Sequence, residues 1–105
     1  MTASKSRMAY TDCYELFDKA LADGKGIRIR FANTGDAWHF RIRLNRARMI
    51  DRMDNVQTFD EGHPLYGRSI YDGIMCRIVQ DDGKVFISLE KIDARVFEIE
   101  SLGDA

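Results

Sequence analysis

The chain has 105 residues and a mass of 12.1 kDa, with 16 Lys and Arg against 17 Asp and Glu and a formal net charge of −1. That length fits one domain with one modest core, and 45% hydrophobic with 31% charged residues is a globular mixture that excludes a disordered chain. No apolar run approaches the roughly 18 residues of a membrane span, and the opening MTASKSRMAYTD lacks the apolar stretch of a secretory signal.

Residues 1–9 are polar and are expected to form a disordered tail. Thr11 can then cap a helix over about 11–23. In it Cys13, Leu16, Phe17, Ala20 and Leu21 make one apolar face at i, i+3, i+4, i+7 and i+8. Gly24 stands where such a helix ends. IRIRF (27–31) alternates Ile27, Ile29 and Phe31 with Arg28 and Arg30, the period of a half-buried strand.

The next segment admits two readings. WHFRIRL (38–44) alternates as a strand would, with Asn45 then capping a short helix. Alternatively, Thr34 caps one helix over about 35–54, which explains twenty residues with a single element. On that helix Ala37, Phe40, Leu44 and Ala47 form one apolar cluster and Trp38, Ile42, Met49 and Met53 a second. The helix is preferred, and its two apolar faces then require either that it be sandwiched within the fold or that one face meet a partner.

Residues 55–69 read as loop around Gly62, Pro64 and Gly67. IMCRIV (74–79) and VFISL (85–89) flank Asp82-Gly83, a strong hairpin signal, and RVFEIE (95–100) reads as a last strand. The order is α-β-α-β-β-β. It predicts a single-domain, two-layer α+β fold whose antiparallel sheet of about four strands is covered by the N-terminal helix.

Cys13 and Cys76 stand alone, 63 positions apart, and are expected as buried thiols of a cytoplasmic protein. His39 and His63 are too few and too separate for a common zinc site, and no CxxC, HExxH, phosphate-binding loop, dinucleotide fingerprint or GxSxG elbow occurs. Neither catalysis nor a metal nor a cofactor is therefore expected; a small enzyme using His63 and Asp72 is the residual enzymatic reading.

Charge is segregated. Residues 25–52 carry eight cations, Lys25, Arg28, Arg30, Arg41, Arg43, Arg46, Arg48 and Arg52, against Asp36 and Asp51. Residues 81–105 carry seven acids against three cations. Guanidinium groups pair with phosphate in two-point fashion and stack on rings, and Trp38, His39 and Phe40 lie among them. Such a segment points to nucleic acid or a nucleoprotein complex as partner. Solvated or internally paired charge is the competing reading, and a sequence pI of about 6.1 favours it. GHPLYGRSIYDG (62–73) adds His63, Tyr66 and Arg68 as candidate contacts on a loop, or else is a structured connection in which Arg68 pairs with Asp72.

GDAWHFRIRLNRARMIDR (35–52) followed by GHPLYGRSIYDG resembles small accessory proteins encoded by phages and prophages. The resemblance implies a protein that acts by binding nucleic acid or a host machine, as inhibitors of bacterial defence such as anti-CRISPR proteins do. It implies no catalytic residues. The sequence thus predicts a non-enzymatic binding module without a membrane partner. Its alternative is a protein-binding inhibitor or small homodimer that uses the second apolar face of the long helix.

Overall fold

The computed structural model describes residues 5–92. Within them the chain runs α1 (Lys5–Met8), α2 (Thr11–Asp23), β1 (Gly26–Phe31), α3 (Thr34–Thr58), β2 (Ile74–Asp81) and β3 (Lys84–Lys91). This is an α+β fold with two substantial helices on one antiparallel sheet. Three strands are described where about four were expected, and the strand proposed at 95–100 lies outside the described residues.

The expected 1–9 tail needs correction over its second half. Lys5–Met8 form a helical turn, and Arg7 reaches 44 residues along the chain to Asp51, 2.6 Å away. In α2 the buried stripe is Cys13, Tyr14, Phe17 and Ala20, with Leu16 and Leu21 half-buried beside it. Thr11 is not its cap: Tyr10 holds that position, and the Thr11 hydroxyl instead donates to the Met8 carbonyl at 2.8 Å.

The ambiguous segment is one helix. α3 spans 25 residues, about 37 Å at 1.5 Å per residue. Its cap is Asn33 rather than Thr34: the Asn33 side chain accepts the Asp36 N–H at 2.8 Å. Of the residues that alternate in sequence, Leu44 is buried and Phe40 rests against Phe31, with ring centroids 5.4 Å apart. Trp38 and Ile42 turn away from the sheet and are exposed. Helical periodicity splits a set that a strand would have kept on one face.

In the sheet β3 is central, antiparallel to β1 on one side and β2 on the other. β1 and β2 therefore run parallel with β3 inserted between them, a split βαβ arrangement in which α3 supplies the crossover. The β2–β3 hairpin closes at Asp82 and Gly83, with φ of 54° and 73°, the left-handed pair of a two-residue type I′ turn. Register places Ile27–Leu89–Cys76 and Ile29–Ile87–Ile78 in rows beneath the helices. Phe17, Leu44, Ile74, Ile87 and Leu89 fill the core between the layers. Cys13 and Cys76 are both buried free thiols. Burial pushes the Cys13 thiol up to about 11, so it is protonated at neutral pH.

Candidate interaction surfaces

The arginines of 25–52 do not gather on one face. Three are taken up by the fold. Arg43 pairs with Asp12 at 2.8 Å and lies over the Tyr10 ring, fastening α3 to the start of α2. Arg48, half-buried, donates to the carbonyls of Tyr71 and Ile74 and to Asn45 Oδ1, strapping α3 to the start of β2. Arg52 pairs with Asp72 at 2.6 Å. Burial opposes ionisation of Asp72, but the Arg52 guanidinium and the Ser69 N–H outweigh it and hold the carboxyl below its ordinary range.

The remaining four divide between two surfaces. Arg28 and Arg30 project from β1 on the sheet face opposite the helices, while Arg41 and Arg46 lie on α3. Arg30 and Arg46 have no acidic partner among the described residues.

The 62–73 loop is chiefly a structured connection. His63 stacks on Phe59 with centroids 4.0 Å apart, and its Nδ1 accepts the Leu65 N–H. Tyr66 is half-buried, and Arg68 is exposed with its carbonyl held by Asn55 at 2.6 Å. The pair expected between Arg68 and Asp72 does not form, because Arg52 occupies Asp72. Sequence reasoning passed over Asp51. This buried carboxylate on the inner side of α3 accepts from Arg7 and from the Ser69 hydroxyl, joining α1, α3 and the loop.

α3 carries five exposed large apolar side chains. Trp38 (53% exposed), Ile42 (39%), Met49 (51%), Met53 (63%) and Val56 (44%) fall within an arc of about 60° at 100° per residue. The stripe is about 27 Å long at 1.5 Å per residue. Arg41 and Arg52 border it on one side, His39 and Arg46 on the other, and no acid of α3 falls within that arc or its borders. The Arg41 guanidinium lies 5.6 Å over the Trp38 ring.

The second surface is the outer sheet face. Arg28, Ser88 and Arg77 form one row across the strands, and Arg30, Phe86 and Val79 the next. Arg28 lies 4.3 Å over the Phe86 ring and 3.3 Å from Asp81. Arg77 holds both carboxylate oxygens of Glu90 at 3.0 Å. The Ser88 hydroxyl and Arg77 together hold the Glu90 carboxyl below its ordinary range.

Among the described residues no group of three or more His, Cys, Asp or Glu is placed to hold a metal, and no helix is long and apolar enough to cross a membrane. The class these features define is a small two-layer α+β protein whose described residues leave a helix stripe and a sheet face uncovered. Comparison with protein-family models, curated proteins and solved structures gives no match.

Proposed function

We propose that the protein is a binding module rather than a catalyst, and that it works through the outward face of α3. The observation that carries this reading is the stripe Trp38–Ile42–Met49–Met53–Val56, apolar, exposed and bordered by cations on both sides. Apolar residues at helical spacing facing water are an unusual cost for a small fold and mark a contact surface. The stripe is as wide as one helix-to-helix seam, and two methionines give it adaptable packing. Arg41 on one border and Arg46 on the other, neither with an acidic partner among the described residues, fit a partner with acids flanking its own apolar stripe, so the partner is an acidic amphipathic segment of another protein. A second copy fits less well, because pairing α3 with itself sets one arginine border against another.

This reading keeps the protein-binding inhibitor suggested by the phage resemblance, acting in the cytoplasm on a host machine. It gives up the whole 25–52 segment as one nucleic-acid contact, since Arg43, Arg48 and Arg52 are engaged within the fold.

Isothermal titration with a helical peptide of about 18 residues, long enough to match the stripe, tests it. The peptide carries leucines at a and d positions and glutamates beside them. Saturable binding that weakens with salt and is lost in Met49→Glu is expected. No heat from the acidic peptide, or equal binding of a lysine-flanked version, would overturn the reading. So would a stable dimer of the protein alone that buries the stripe.

A further inference from the structure

The outer face of the sheet carries a set of cationic and aromatic side chains that the α3 stripe does not explain. We propose that it is a platform for single-stranded nucleic acid. Alternation along the strands turns Arg28 and Arg30 of β1, Lys84, Phe86, Ser88 and Glu90 of β3, and Met75, Arg77, Val79 and Asp81 of β2 to this side. No described helix covers it: the core residues Ile74, Cys76, Ile87 and Leu89 and their half-buried neighbours Ile27, Ile29 and Ile78 lie on the other face.

Charge and shape choose the occupant. Among the described residues of this face, Arg28, Arg30, Arg77 and Lys84, with Lys25 just before β1, stand against Asp81 and Glu90. From Lys84 to the row of Glu90 is six residues of strand, about 20 Å, so the cations lie along a track rather than around one point. A single phosphate group would use one end of it; an extended polyanion uses all of it. One part of it is an open depression of about 480 Å³ lined by Lys25, Arg28, Arg77, Val79, Ser88 and Glu90, too open to enclose a small ligand. Among the described residues no element projects from this face to enter a duplex groove.

Phe86 and Arg28 supply the stacking surface. The guanidinium carbon of Arg28 sits 4.3 Å from the ring centroid of Phe86 and the side chain is exposed, so a base can stack on it. The pairs Arg28–Asp81 and Arg77–Glu90 are solvent-exposed and worth little. Exchanging their carboxylates for phosphates therefore costs little. Lys25, Arg30 and Lys84 have no acid to give up among the described residues.

Fluorescence anisotropy with a labelled deoxythymidine oligomer of about 12 nucleotides, within the usual site size of such platforms, provides the test. Neutralising three to five phosphates predicts an affinity loss of roughly ten- to a hundredfold between 50 and 200 mM salt. The double variant Arg30→Glu, Lys84→Glu should weaken binding at least tenfold. Arg46→Glu, on α3, should leave it unchanged. Circular dichroism of each variant confirms that the fold is retained. Absence of binding at 50 mM salt would overturn the proposal, as would equal affinity for a duplex of the same length. A loss confined to Arg46→Glu would move the contact to α3. The peptide titration on α3 is independent of all these results, so either reading can fail alone.

Discussion

Asp51 illustrates how one buried side chain ties the first turn of the protein to its far loop. Its carboxylate takes hydrogen bonds from Arg7 and from Ser69, whose own oxygen accepts the Tyr71 N–H at 3.1 Å. Removing it costs Arg7 its 2.6 Å ion pair, with Asp54 still 3.6 Å away, and takes from the buried Ser69 hydroxyl its acceptor. Asp51→Ala should therefore cost roughly 2–3 kcal/mol, less than a fully buried pair because Arg7 is partly exposed. Urea denaturation measures this, and a loss below about 0.5 kcal/mol, the size of an ordinary surface change, would contradict the assigned role. Asp72 and Glu90 act on stability through pH. Unfolded, they titrate near 3.8 and 4.5; folded, both titrate lower. Their contribution is complete above about 4.5 and is lost as pH falls through the depressed folded values. The urea midpoint should fall on acidification below that point, and Asp72→Asn should make the fall shallower. A midpoint that rises with acid would refute both assignments.

At the scale of elements, local signals were readable and long-range ones were not. α2 follows from its apolar stripe, β1 from strict alternation and the hairpin from Asp82-Gly83, since each is settled within a few residues. α3 was ambiguous because Trp38, Phe40, Ile42 and Leu44 satisfy a period of 2 while the wider segment satisfies 3.6. A single element that explains twenty residues favours the helix, and the second of its two apolar faces is the one that remains exposed. The fate of the arginines could not be read in the same way. The partners of Arg43 and Arg52 lie 31 and 20 residues distant, and Arg48 is bound largely by backbone carbonyls, which carry no sequence signature. Asp51 was hidden likewise, because its main partner sits in a segment that composition alone describes as a tail. A contact role for the exposed face of α3 implies that it adds little to folding. Met49→Glu should shift stability by no more than about 0.5 kcal/mol in urea denaturation, whereas a loss above about 2 kcal/mol, typical of core positions, would mean that Met49 is a core residue after all.

For the whole molecule, near-neutral net charge conceals an arrangement in which, among the described residues, acids fasten several arginines and two surfaces keep cations without an acidic partner. One is narrow, apolar and helical; the other is broad, flat and stacked on a single aromatic ring. They lie on different layers of the fold, so a partner protein on α3 leaves the sheet face open, and a module able to hold both would bridge a protein and a nucleic-acid strand. The claim on which this account chiefly rests is that another protein's acidic segment covers α3. Trp38 is the only tryptophan of the chain and stands on that stripe, half in water. Its emission during titration with the acidic amphipathic peptide reports occupancy directly. The account predicts a saturable blue shift that high salt reverses; emission that stays at its starting wavelength throughout the titration would contradict it.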